Sequence, residues 1–200
     1  MTRWLWLCIS LLCGWAALWC SPPEAWAGPV GRYHDRYDRE MERAVDRWWP
    51  PIPEGHWLWL KAQLYQESLL DPAAVSPVGA RGLGQFMPRT WGEVAGQLGF
   101  GRASPHSVRH SIMASAYYMR KLREGWSSPR PEMDRWDLAR ASYNAGMGNL
   151  LKAQRLADGA VEYARIIAAL PRVTGRHSRE TITYVQRIHR WHTEMVGTRK

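Results

Sequence analysis

The sequence predicts an all-α domain with at most minimal β structure, and three observations carry the prediction. Several segments repeat apolar residues every three or four positions, the spacing of a helix with one buried face. None beyond residue 27 reads as a convincing strand, and no internal repeat or low-complexity tract breaks the pattern. The 200 residues suit one domain with a sizeable core.

Residues 1–27 read as an export leader: Arg3 is a short basic start, Trp4 to Cys20 is an uncharged apolar run, and Ala25-Trp26-Ala27 offers a cleavage site before Gly28. A retained anchor is the competing reading, although the run is short for a membrane span and carries Ser10 and Gly14. Lipidation of Cys20 is disfavoured by the bulky Trp19 before it. Cys8, Cys13 and Cys20 all lie in this leader, so the expected mature chain has no thiol for catalysis, disulfides or zinc.

Residues 28–56 are expected to hold an N-terminal helix and a stiff connector. Tyr33, Tyr37, Met41, Ala44 and Trp48 share one face of a helix over 32–48, whose default use is packing, and Pro50, Pro51 and Pro53 stop it. The main domain spans 57–196. Trp57, Leu60 and Leu64 recur at helical spacing, and Glu67, three residues further on, prolongs that apolar stripe. Asp71-Pro72 ends the helix, and Gly79, Gly82 and Gly84 open a loop for close approach by a ligand. Pro88 starts the next helix, with Thr90 and Glu93 spaced as a capping box. Further helices are expected over 107–124, 136–143, 149–157, 161–170 and 179–196, with Gly125, Gly146 and Pro171 at their ends.

Glu67 carries the chemistry. A carboxyl on a core-facing stripe loses solvent, which disfavours its charged form and raises its pKa, so that it holds a proton near neutral pH as a general acid must. The alternative is a helix-end glutamate in water. The loop that follows supplies Ser76 and Gln85 as hydrogen-bonding groups and Met87 as a soft apolar surface suited to a sugar ring. A phosphate-binding loop is excluded by the absence of Gly-Lys-Ser/Thr and of a preceding strand.

These residues resemble the catalytic domain of the soluble lytic transglycosylases. Glu67-Ser68 matches the family's Glu-Ser pair, and Ser76, Gly79-Ala80, Gly82-Leu83, Gln85 and Met87-Pro88 follow in its order and spacing. Ala141 to Gly146 resembles its Ala-Tyr-Asn-Ala-Gly segment, and Glu180-Thr181 with Tyr184-Val185 resembles its Glu-Thr and Tyr-Val block. The departures are Leu69-Leu70, Gly84 where a larger residue is common, and Phe86 for an aliphatic. The resemblance implies a lysozyme-like fold that cleaves peptidoglycan glycan strands with Glu67 as the one catalytic acid and no cofactor. Ser76, Gln85, Met87, Tyr143, Asn144 and Glu180 would bind substrate, with the Tyr143 hydroxyl directed at Glu67. It further implies attack by the substrate's own C6 hydroxyl, giving a 1,6-anhydro product. From its position alone, Glu180 has a simpler role as an acid near a helix start.

The formal charge of +9 favours polyanionic partners, and for an exported chain the acidic cell envelope is a better fit than nucleic acid. No nucleic-acid partner is expected, since the basic residues are scattered. His106 with His110 and His189 with His192 have helical spacing, but no third ligand accompanies either pair, and no metal site is expected. The tryptophans around the first helices suit core packing, with one or two free to stack on sugars. A goose-type hydrolytic muramidase and a non-catalytic murein-binding module are the rival readings. Wall remodelling, service to an envelope-spanning secretion or conjugation apparatus, and phage lysis all stay open.

Overall fold

The structure, a computed structural model, describes residues 33–51 and 56–198. The leader, its cleavage site and Pro53 lie outside the described residues. In order, the helices are α1 (Asp38–Trp48), α2 (His56–Ser68), α3 (Pro88–Gln97), α4 (Val108–Gly125), α5 (Glu132–Ala145), α6 (Met147–Leu156), α7 (Tyr163–Ala169), α8 (Pro171–Thr174) and α9 (Ser178–Gly197), with a 3-10 turn at Gly175–His177 before α9. Among the described residues, pairing of extended backbone is limited to the isolated bridges Val75–Arg81 and Arg81–Phe86, so the fold is all-α as the periodicity indicates.

Helix α2 is the inner element. Leu58 through Tyr65 are all buried, and Leu60 and Leu64 are fully so, because α1 packs on one side and α9 on another. Each such leucine contributes about 2 kcal/mol of apolar burial. The expected single stripe through Trp57, Leu60 and Leu64 is therefore too narrow. One consequence is that Lys61 lies inside the protein. Its Nζ donates to Asp38 Oδ1 at 2.6 Å and to the Tyr33 carbonyl at 3.2 Å, tying α1 to α2. The α1 segment thus packs on the domain, with Met41, Ala44 and Val45 in the core.

Three local expectations are corrected. Helix α1 begins at Asp38, not at residue 32: Tyr37 caps it, and Asp38 and Glu40 place negative charge in its first turn. Tyr37 is buried nonetheless, so it reaches the apolar face from outside the helix. The proposed capping box does not form. Met87 is the N-cap of α3 and Pro88 its first residue, which puts Thr90 inside the helix, while Glu93 pairs with Arg89 at 3.1 Å. Helix α5 also starts earlier than its apolar pattern, directly after Pro131, with Glu132 and Asp134 in its first turn.

A second polar seam crosses the core between α5, α2 and α9. Arg140, almost fully buried, donates to Asp137 Oδ1 at 2.6 Å and lies over the Trp59 ring at 4.2 Å. On the same indole stacks His192, 3.7 Å away, and His189 Nε2 meets Asp137 at 2.8 Å. These two histidines pack and pair within the protein. His106 and His110 bond Pro72 O and Ser107 Oγ, each at 2.8 Å.

Candidate active site

Glu67 sits in the last turn of α2, and the chain leaves that helix abruptly. Leu69 and Leu70 both adopt left-handed backbone, φ 56° and 63°, at a cost of about 1 kcal/mol or more each for a residue with a Cβ. The reversal turns Leu70 into the core and leaves Leu69 at 42% exposure. Asp71 then closes a local turn, its Oδ1 accepting from Ala73 N at 2.8 Å. That bond accounts for Asp71 without chemistry.

The loop folds back over α2 because Ser68 Oγ donates to Leu83 O at 3.0 Å. Ser76 braces it further on, with its Oγ accepting from Ala80 N at 3.0 Å. Gly82, at φ 73°, is a position where a Cβ would lie 1.9 Å from Pro105 O, so only glycine permits this approach to the segment before α4. Gln85 also has left-handed backbone, φ 46°, and its Nε2 donates to Gly82 O at 2.9 Å and to Ala74 O at 3.3 Å. Met87 stands at the loop's end, 41% exposed.

Helices α5 and α9 supply the far side. Tyr184 Oη donates to Glu67 Oε1 at 2.6 Å. Tyr143 goes elsewhere: its hydroxyl donates to the Gly84 carbonyl at 2.7 Å, in a niche where a Cβ on Gly84 would meet Ser115 Oγ at 2.3 Å and Tyr143 Oη at 3.1 Å. The hydroxyl bonded to Glu67 is therefore not the one that the resemblance implied. Tyr143 holds the glycine-rich loop, and Tyr184 holds the acid. Asn144 lies next to this pair and links two side chains of α9, accepting from Thr181 Oγ1 at 2.7 Å and donating to Glu180 Oε1 at 3.5 Å. The structure thus brings Glu67, Gln85, Tyr143, Asn144 and Glu180 to one region, with Ser76 and Met87 on the loop beside it.

Electrostatics follow from this enclosure. Burial of the carboxyl raises the Glu67 pKa, the Tyr184 hydroxyl offsets part of the rise by stabilising the charge, and the negative Glu180 adds to it, leaving a pKa of about 8. Glu67 is then mostly protonated at neutral pH. The Tyr184 and Tyr143 hydroxyls are pushed well above the ordinary tyrosine range, first by burial and next by the charge of Glu67.

Sequence reasoning had not singled out Tyr184 as a site residue. A signal was present, since Tyr184 follows Glu180 by four residues and so shares its helix face. Tyr184→Phe is expected to raise the Glu67 pKa further, and Tyr143→Phe to move it less, as read by carbon-13 titration of the Glu67 carboxyl. Equal shifts in the two variants would contradict the assignment of the bond to Tyr184.

A partly buried acid at the end of an inner helix, under a glycine-rich loop and backed by tyrosine, is a lysozyme-like arrangement. The model of the transglycosylase SLT domain family matches residues 54–166, and the chain belongs to that family. It is 41% identical over 123 residues to the membrane-bound lytic murein transglycosylase F 2 of Alkalilimnicola ehrlichii, covering 61% of this chain and 25% of the relative. It is 30% identical over 197 residues to the membrane-bound lytic murein transglycosylase F of Yersinia enterocolitica, covering 87% of this chain and 39% of the relative. The chain therefore spans well under half the length of these relatives. Similar folds are seen in an inactive mutant of the lytic transglycosylase Slt from Pseudomonas aeruginosa, with TM-score 0.65, 23% identity, and coverage of 88% of this chain and 26% of that one. The 70 kDa soluble lytic transglycosylase from Escherichia coli is comparable, with TM-score 0.65, 22% identity, and coverage of 83% and 25%. The family match stops before α9, the helix that carries Tyr184 and Glu180.

Proposed function

We propose that the chain is a lytic transglycosylase that cleaves the β-1,4 bond between N-acetylmuramic acid and N-acetylglucosamine in peptidoglycan, without water, to leave 1,6-anhydro-N-acetylmuramic acid ends. The observation that carries the reading is one carboxyl, Glu67, held protonated at neutral pH by enclosure while tyrosine fixes its rotamer. Protonated Glu67 donates to the glycosidic oxygen as the bond breaks and positive charge develops at C1. The resulting carboxylate then takes the proton from the C6 hydroxyl as that oxygen attacks C1. One residue serves as acid and base, and the proton count closes.

The other site residues fit binding roles. Gln85 spends its Nε2 hydrogens on loop carbonyls, which leaves Oε1 as an acceptor for an acetamido N–H. Ser76 Oγ accepts from the backbone, so its own hydrogen is available to a sugar oxygen. Met87 offers an exposed apolar surface for a ring face. Tyr143 and Asn144 act by holding the loop and Glu180. The organisation proposed is a leader at 1–27, an N-terminal helix and connector at 28–56, and the catalytic domain at 57–196. Export to the cell envelope, after cleavage of the leader, is consistent with the leader-like start and with the membrane-bound relatives.

A hydrolytic muramidase is the second reading, and Glu180 favours it: this carboxylate is close enough to Glu67 to raise its pKa. Bracing by Asn144 at the start of α9 is the structural account of Glu180. Digestion of polymeric peptidoglycan in oxygen-18 water separates the two. The expected muropeptides end in the anhydro sugar, lighter by one water and unlabelled at C1; labelled reducing ends as the main product would establish hydrolysis.

A further inference from the structure

A cavity of about 360 Å³ lies between the C-terminal end of α1, the segment after α3, and the first turns of α4. Its size is within the range of small-molecule sites. It shares no residue with the Glu67 groove. Arg47 and Trp48 come from α1, ahead of the residues that the family match covers, and Arg109, His110 and Met113 come from α4.

The walls differ in character by depth. Arg47 and Arg109 are exposed, whereas Trp48, Phe100, His110 and Met113 are partly buried. Among the described residues neither guanidinium is paired with a carboxylate, and no acid lines the cavity. The nearby ion pairs, Arg89–Glu93 and Arg120–Glu124, use other cations. The floor is fixed by its own contacts: Trp48 Nε1 donates to Met113 Sδ at 2.9 Å, the Trp48 ring meets Tyr117 edge-on at 4.9 Å, and Phe100 meets His110 edge-on at 4.7 Å. Arg47 sits over the Trp48 face, 5.1 Å from its centroid. Two unpaired guanidiniums above an aromatic and thioether floor complement a ligand with a negative head and an apolar body.

We propose that this cavity binds a small amphiphilic anion, with a carboxylate or phosphate head held by Arg47 and Arg109 and an apolar body laid on Trp48, Phe100 and Met113. The site is independent of the proposed glycan chemistry, because α4 turns a different face, Ser111 and Ser115, to the loop that carries Gly84. Failure of either reading leaves the other standing.

The test uses decanoate, decyl phosphate and uncharged decanol with the full chain, below micelle-forming concentrations, read by nitrogen-15 NMR at the Trp48 indole N–H, which Trp48→Phe identifies. At least one anion is expected to shift that signal saturably, while decanol does not. Arg47→Gln and Arg109→Gln should each weaken the binding roughly tenfold, and raising the salt should weaken it too. Both arginines are exposed, so circular dichroism and peptidoglycan cleavage are expected to stay at wild-type levels in these variants. Preference for decanoate points to a carboxylate source and preference for decyl phosphate to a phosphate or lipid-headgroup source, and each supports the site. No shift with either anion, equal binding of decanol, or undiminished binding in both variants overturns it.

Discussion

Glu67→Gln is expected to reduce peptidoglycan cleavage by about a hundredfold to ten-thousandfold or more, because the amide keeps the shape of the side chain and can neither give nor take the proton. The fold should persist, since Tyr184 Oη can still donate to the amide oxygen. The same variant makes a signed prediction about stability. The folded pKa of Glu67, about 8, lies above its ordinary value of 4.5, so between these values the unfolded chain releases a proton that the folded chain keeps. Wild-type stability therefore falls as pH rises from about 4.5 to about 8, at up to roughly 1.4 kcal/mol per pH unit from this group, and the loss is complete above that window. The glutamine carries no such penalty. Its stabilising effect should be small at pH 4 and should grow steadily up to pH 8. Wild-type kcat/KM should in turn decline as pH passes through about 8, where the free enzyme loses its acid. Turnover near wild type in a folded Glu67→Gln chain would show that the acid lies elsewhere.

The largest expected effect on folding comes from Lys61→Met. Methionine nearly matches the apolar stem of lysine, so the cost is not a cavity but a carboxylate left inside the protein. Asp38 is only 8% exposed, and removing the ammonium 2.6 Å from it takes away the opposite charge beside its carboxylate. Breaking a buried pair from one side costs about 3–5 kcal/mol, a fall in Tm on the order of 10 °C for a domain of this size. The double variant Lys61→Met with Asp38→Asn should recover a large part of that loss, because the buried negative charge is removed together with the positive one. Thermal denaturation of the two single variants and the double closes the cycle, and a double variant as unstable as Lys61→Met would disprove the account.

What was legible in the sequence followed from local rules. Helices α4, α6, α7 and α9 lie within about two residues of their apolar periodicity, since each keeps buried residues at helical spacing with exposed ones between them. Glu67 was legible because a carboxyl three residues beyond Leu64 continues the buried side of a helix. Helix α2 as a whole was not, because an element covered on nearly all sides loses the contrast between faces that periodicity reads, and the position of Lys61 depends on Asp38, 23 residues away. The site's second rank was hidden for a similar reason. Whether Tyr143 or Tyr184 meets Glu67 is decided by which hydroxyl finds the Gly84 carbonyl, a contact across 59 residues that depends on the missing Cβ of Gly84. The misplaced capping box shows a local rule overridden by another: Pro88 sets the first turn of α3, so Thr90 is already inside it.

The acid-bearing helix is wrapped by the earliest and the latest described helices of the chain: the Tyr33 hydroxyl, just ahead of α1, donates to Glu194 of α9, and Gln66 of α2 itself accepts from the Trp191 indole of α9 at 3.1 Å. The proposed catalytic geometry thus has no subdomain of its own to rest on: Glu67 is in register only when both wrapping helices have docked. In a denaturant series, loss of turnover and loss of helical signal should superimpose at one midpoint, so a half-unfolded molecule that still cuts its substrate is not an available state.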